Sequence, residues 1–421
     1  MSAGPPADLR AQLTGYFLRG VAAGSAQFTL PQHLPAGVAR GRTILLGCGK
    51  AAAEMAQVAR AHLLGSVTGC VVTRHGHGVG HGAGQVIGRV EVIEAGHPLP
   101  DAAGAAAAAR IMALAQDAGP DDRVLFLISG GGSALLCAPA DGLTLAEKQA
   151  VTAHLLHSGA PIEHINLVRR HLSRVKGGRL ASLAGARGAA LYTYVISDVV
   201  GDDPALVASG PSVAAPFEPD AALALLEHYG WPVTPAQRAS IRANRPSPAA
   251  VHPVHLLASN RDALAAIQAA ASADGWNVVS LGGALIGEAS IIGCDHAVSA
   301  RAYLARPGRH LLISGGELTV TGADHTGCGG PNLEYLAGVL SGLEPGDDIA
   351  VLAGDSDGID GSEANAGGYG AAGGVLPEAL ARALELHRTH ALFAALGGLI
   401  VTGPTRTNIN DIRMIAIGGR A

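Results

Sequence analysis

The chain has 421 residues, 48% of them apolar and 15% charged, which leaves room for two or three domains with cores of their own and excludes a disordered polypeptide. Its net charge is −5 and aromatics are only 3%; with no basic stripe and no stacking platform, nucleic-acid binding is excluded. No apolar run approaches the roughly 18 residues that span a membrane. The N-terminal MSAGPPADLRAQLTG lacks the charged-then-apolar pattern of a secretory signal. The five cysteines are widely spaced without CxxC, so we expect a cytoplasmic protein with reduced, buried thiols.

Short β-rich runs alternate with Ala/Leu-rich helical stretches. Strands are expected at Thr43–Leu46, Cys70–Thr73, Val90–Glu94, Val124–Ile128 and Leu191–Ile196. Later candidates are Val254–Ala258, Asn277–Leu281, His310–Ile313, Leu318–Thr321, Ile349–Ala353 and Leu399–Thr402. Helices are expected at Ala51–Leu64, Asp101–Asp117 and Leu145–His157. This alternation predicts an α/β protein with mainly parallel sheets, whose sites gather at the carboxyl ends of strands. The proline-rich RANRPSPAAVHP, Arg242–Pro253, disfavours helix and strand alike. It divides the chain into expected domains 1–245 and 246–421.

Ile196–Pro211, ISDVVGDDPALVASGP, ends an apolar strand in a loop carrying Asp198, Asp202 and Asp203. Carboxylates at a buried strand end demand a cation, either a metal or a Lys/Arg. Gly47-x-Gly49-x-x-Ala52 matches the looser dinucleotide fingerprint. However, Thr73-Arg74 stands near where its acidic residue belongs, and Lys50 sits at the helix start. A cation there is unfavourable unless an anion joins it; a tight turn with a solvated lysine is the plain alternative. Gly130, Gly131, Gly132 and Ser133 follow a strand and could cradle phosphates, or form only a sharp turn. Asn166–Ala181, NLVRRHLSRVKGGRLA, reads as a basic helix ending at Gly177-Gly178, with Arg170, Arg174 and Lys176 on one face or merely solvated. His75–Gly84 reads as a flexible glycine loop and His97–Asp101 as an extended turn with a helix cap. Gly316 and Glu317 end one later strand and Asp355, Asp357 and Asp360 another. Gly403–Ile412 is a polar loop with Asn408 and Asp411.

Taken together these segments resemble the glycerate 2-kinase family, whose carboxyl-terminal region is known as the MOFRL domain. Some members bear the older name hydroxypyruvate reductase, linked to tartrate use. The markers are GCGKAA (Gly47–Ala52), EAGHPLPD (Glu94–Asp101), ISGGGSALL (Ile128–Leu136), NLVRRHLSRVKGGRLA and ISDVVGDDPALVASGP. ISGGELTVTG, DGIDG and GPTRTNINDI follow, in the family's order, so that the resemblance runs from about Leu9 to about Ile417.

The resemblance implies a larger Rossmann-like, mainly parallel domain plus a smaller α/β domain, with the site in the interdomain cleft. It implies ATP-dependent phosphorylation of the 2-hydroxyl of D-glycerate to 2-phosphoglycerate, with Mg²⁺, and Lys50 and Asp198 as catalytic residues. Where the family's GGRNQE carries an arginine, this chain has Pro331, which removes a bidentate anion binder. Nucleotide or phosphate contacts are expected from Gly130, Gly131, Gly132, Ser133, Gly316, Glu317 and Asn332. Substrate contacts are expected from Arg170, Lys176 and Asn408, and metal contacts from Asp202 and Asp357. A homodimer is a candidate assembly. The rival readings are an NAD(P)H-dependent hydroxypyruvate reductase, a non-catalytic sugar-acid sensor, and a kinase of a larger sugar acid.

Overall fold

The structure is a computed structural model that describes residues 7–79, 85–247, 251–322 and 327–418. It divides into two units, residues 29–257 and a second made of residues up to Phe28 together with Ala258 onward. The division falls at Leu257/Ala258, and residues 7–28 group with the C-terminal unit.

The unit of residues 29–257 is built on a sheet of seven strands: β1 (Thr43–Cys48), β2 (Val67–Arg74), β3 (Gln85–Ile87), β4 (Val90–Ala95), β5 (Arg123–Ser129), β6 (Ala190–Ile196) and β7 (Val254–Ala258). Their order is β3-β4-β2-β1-β5-β6-β7. β1, β2, β4, β5 and β6 run parallel, and β3 pairs antiparallel with β4. All six residues of β1 are buried, the near-continuous apolar run that a parallel strand covered on both faces requires. The helix Ala102–Asp117 crosses over with Ala107, Ala108, Ile111, Leu114 and Ala115 buried. Asp101 caps it, accepting from Gly104 N and Gly96 N, both at 2.8 Å. The expected basic helix is instead two: Ile162–His171 and Arg179–Gly185. The first stops at His171, and Gly177 and Gly178, at φ +61° and +82°, stand directly before the second. Arg170, Arg174 and Lys176 therefore share no helical face.

The second unit carries β8 (Asn277–Ser280), β9 (Leu285–Glu288), β10 (His310–Thr319), β11 (Ile349–Asp355), β12 (Gly367–Ala371), β13 (Leu399–Ile400) and β14 (Asp411–Ile417). The order is β13-β12-β11-β14-β10-β8, with β9 also on β10. Only the β10 pairings with β8 and β9 are parallel; those among β10 to β14 are antiparallel. This sheet is mixed where a mainly parallel one was expected. The two strands expected at His310–Ile313 and Leu318–Thr321 are one strand, β10. Gly316, at φ +102°, re-aims it so that its first half pairs with β8 and its second with β9. A β-carbon on Gly316 would stand 2.3 Å from the Leu285 backbone, so only glycine allows β9 so close.

The N-terminal helix Ala7–Ala23 belongs here. Leu13 and Phe17 are fully buried, each contributing about 1.5–3 kcal/mol. Arg10 donates to Gly397 O and Leu399 O, and Tyr16 to Asp274 Oδ2 at 2.6 Å. Cys48, Cys70 and Cys137 are buried as expected; Cys294 and Cys328 are exposed. No helix among the described residues is long and apolar enough to cross a membrane.

Candidate functional site

In the unit of residues 29–257, three neighbouring parallel strands deliver polar residues to one edge. Lys50 stands two residues past β1, Gly130–Ser133 directly follow β5, and Asp198 stands two residues past β6. The ladders align Cys48 with Ile128 and Ser129 with Ile196, so the ends of β1 and β6 lie about two strand spacings, or ~10 Å, apart. Both residues are partly exposed.

The glycines explain how Lys50 is held. Gly49 (φ +124°) would place a β-carbon 2.2 Å from Ser129 Oγ and 2.3 Å from Ser129 O, so no other residue fits. Lys50 N–H donates to Gly130 O at 2.8 Å and Ala51 N–H to Ser129 Oγ at 3.0 Å. The Lys50 and Ala51 amides, just ahead of the helix Ala52–His62, are thus spent on the Gly130 carbonyl and the Ser129 hydroxyl. They are not offered to a pyrophosphate as the dinucleotide fingerprint requires, nor to an anion shared with Lys50. Gly131 (φ +77°) packs its bare Cα between two side chains: a β-carbon there would lie 3.2 Å from the His97 ring and 3.3 Å from Lys50 Cγ. His97, read only as part of a turn, is therefore a neighbour of the site. The strand-end rule could have found it, because it lies just past β4.

Beneath the glycine loop lies a buried cation. Lys176 is fully buried, and its ammonium donates to Ser133 O at 2.8 Å and Ala208 O at 3.4 Å. Burial, with Lys148 nearby, lowers its pKa to about 7. Lys176, expected to contact substrate, thus gives two of its three ammonium donors to backbone carbonyls. Ala208, Ser209 and Gly210 all have left-handed backbones, costing about 1–2 kcal/mol for each of the first two. Arg170 is half-buried beside Glu218 and Asp203, and burial pulls its pKa down. Its Nε is buried without a hydrogen-bond partner among the described residues. Asp203 accepts from Ala205 N at 2.9 Å and is a turn residue. Asp202 is partly exposed, with φ +57°.

The second unit has its own strand-end cluster. Asp360 lies in the loop after β11 and caps the helix Pro331–Ser341, accepting from Asn332 N (2.9 Å) and Leu333 N (3.0 Å). The Asn332 amide donates to Asp411 Oδ1 (2.7 Å) and Asp360 Oδ1 (3.3 Å). Arg413 is fully buried, pairs with Asp411 and donates to Gly316 O at 3.1 Å. Hence Asn332 and Gly316, expected to contact nucleotide, have internal structural work. Asp357 is fully buried, with Oδ1 accepting from Ile359 N at 2.8 Å. Asn408 is buried and its Oδ1 accepts from Asn410 N at 3.4 Å. Glu317 is exposed. Among the described residues no three His, Cys, Asp or Glu side chains are grouped to hold a metal. Of the expected histidine loop, residues 80–84 lie outside the described residues, and His77 is buried.

Residues 12–242 match a family described as a domain of unknown function (DUF4147), and residues 310–411 match the MOFRL family. A protein of Agrobacterium vitis provisionally named hydroxypyruvate reductase is 43% identical, over 90% of this chain and 100% of its own length. The glycerate 2-kinase of Pyrococcus horikoshii is 37% identical over 90% of this chain and 88% of its own. The crystal structure of a glycerate kinase from Thermotoga maritima superposes with a TM-score of 0.85 at 32% identity, covering 98% of this chain and all of that one. The chain belongs to the glycerate kinase family. In this glycerate kinase family member, Pro331 takes the first position of the helix Pro331–Ser341, where a missing N–H costs nothing.

Proposed function

We propose that the chain phosphorylates the 2-hydroxyl of D-glycerate with ATP, giving 2-phosphoglycerate and ADP. One observation carries this beside the family membership: Lys50 and Asp198 follow the carboxyl ends of β1 and β6, the two parallel strands that flank β5 and its glycine loop. In this mechanism the glycerate 2-oxygen attacks the γ-phosphorus. The bond from phosphorus to the ADP oxygen breaks, and the hydroxyl proton passes to the Asp198 carboxylate. Lys50 neutralises charge on the transferred group, and the loop Gly130–Ser133 lines the phosphates with backbone unhindered by side chains.

Mg²⁺ would supply charge neutralisation of the phosphates, held by one or two carboxylates with the nucleotide completing its shell. A site without three clustered acids fits that pattern, and Asp202, being partly exposed, is the better candidate than the buried Asp357. We place the protein in the cytoplasm as a small-molecule enzyme, with a homodimer as its candidate assembly.

The test is incubation with ATP, Mg²⁺ and D-glycerate, followed by detection of 2-phosphoglycerate and ADP. A parallel incubation with hydroxypyruvate and NADH tests the name carried by the Agrobacterium relative. NADH oxidation without ADP formation would defeat the kinase reading. The engagement of the Lys50 and Ala51 amides with β5 favours the kinase. Pro331, standing where the family's arginine is expected, keeps a larger sugar acid as the second substrate to assay.

A further inference from the structure

Lys176 has no acidic partner among the described residues; its ammonium donates to the carbonyls of Ser133 and Ala208. Those carbonyls belong to two different segments. One is the glycine loop, whose Gly130 carbonyl holds the Lys50 amide. The other is a turn in which Ala208, Ser209 and Gly210 stand consecutively at φ +53°, +62° and +62°. Two residues with side chains hold this conformation only where the surroundings impose it.

Everything that imposes it meets here. Gly177 N donates to Ser209 O at 3.1 Å and Gly178 N to Gly210 O at 2.7 Å, tying the turn to the residues directly after Lys176. Ser209 Oγ reaches Ser133 Oγ at 2.9 Å and donates to Asn166 Oδ1 at 3.2 Å. The Ala208 methyl lies 2.7 Å from where a β-carbon on Gly132 would stand; the turn and the loop are in direct contact.

We propose that Lys176 is a positioning residue: by drawing the Ser133 and Ala208 carbonyls onto one ammonium it locks the left-handed turn against the glycine loop and so fixes the loop that seats Lys50. The catalytic consequence rests on the kinase reading above; the mechanical one does not. The groups facing the ammonium are Lys148 from the helix Leu145–His157, Arg169 from the helix Ile162–His171, and the thiols of Cys48 and Cys137. Arg179 holds the Lys176 carbonyl at 2.7 Å. Burial and Lys148 bring the group down to about 7, so it loses its charge, and with it the charge-assisted strength of both bonds, as pH rises through neutrality.

The experiment compares wild type, K176M and K176R. In K176M, hydrogen exchange is expected to quicken on the order of tenfold over residues 130–136 and at Gly177 and Gly178, while the helix Ala102–Asp117 keeps wild-type rates. With ATP, Mg²⁺ and D-glycerate, K176M loses on the order of 100-fold in kcat with KM little changed, as misplacement of the loop predicts. Wild-type kcat declines above a pH of about 7, and K176R, permanently charged, moves that decline upward. Wild-type exchange rates over both segments in K176M overturn the proposal whatever the activity. So does an unchanged pH profile in an active, folded K176R. Quickened exchange in K176M beside a wild type that forms no phosphoglycerate keeps the lock and sinks the kinase reading.

Discussion

Gly131 and Lys50 constrain each other. Gly131→Ala adds a β-carbon 3.2 Å from the His97 ring and 3.3 Å from Lys50 Cγ at a left-handed φ of +77°. It should destabilise the fold by about 1–2 kcal/mol and lower kcat by displacing Lys50; thermal melts and steady-state kinetics read the two effects separately. Lys50→Met and Asp198→Asn should each lower kcat by about 10²–10⁴-fold with melting temperatures near wild type, since both residues are partly exposed. Undiminished phosphorylation in either variant would remove that residue from the mechanism. These two positions were legible because a lysine inside a glycine turn and an aspartate after a buried strand are locally anomalous. Lys176 was legible only as a cation. Its partners are two carbonyls from segments distant in sequence, which no local pattern records.

At the scale of elements, the helix Pro331–Ser341 is capped by an aspartate from another segment. Burial, with Asp411 adding to it, pushes the Asp360 carboxyl up to about 7. The folded chain therefore holds this proton more tightly than the unfolded one. The contribution of Asp360 to stability is greatest below the ordinary carboxylate pKa of about 4 and is lost as pH rises towards 7. Asp360→Asn has no such dependence, so its melting temperature should gain on wild type between about pH 5 and pH 8; a constant difference would show that Asp360 is ionised throughout. The strand β14 went unread in the sequence because Asp411 and Arg413 interrupt its apolar pattern. All seven of its residues are nevertheless buried, since Arg413 meets Asp411 and Gly316 O inside the unit. The parallel strands β1 and β5 were legible because burial on both faces writes them as nearly unbroken apolar runs.

The whole molecule is discontinuous in sequence. The membership of the N-terminal helix was not readable from composition. An amphipathic helix carries no record of which core receives it. Deleting residues up to Gly24 would strip Leu13, Tyr16 and Phe17 from the C-terminal unit, together with the bonds of Arg10 and the one that Thr407 Oγ1 donates to Gly24 O at 2.6 Å. Such a truncation should leave residues 258–421 poorly folded while the β1–β7 sheet persists. Limited proteolysis should then digest the C-terminal unit and spare the fragment 29–257. Equal resistance of both units would show that the helix is dispensable.

That same helix imposes an order of events on the ribosome. It emerges before the roughly 230 residues of the unit 29–257, which at ~5–20 residues per second takes on the order of ten to fifty seconds to synthesise. For that interval its apolar stripe of Leu13, Tyr16 and Phe17 has no native partner, because the strands and helices that cover it have not been made. The nascent chain thus completes one domain while holding an adhesive segment in reserve. Shielding of that segment by a chaperone would govern how much of the newborn chain reaches the native state.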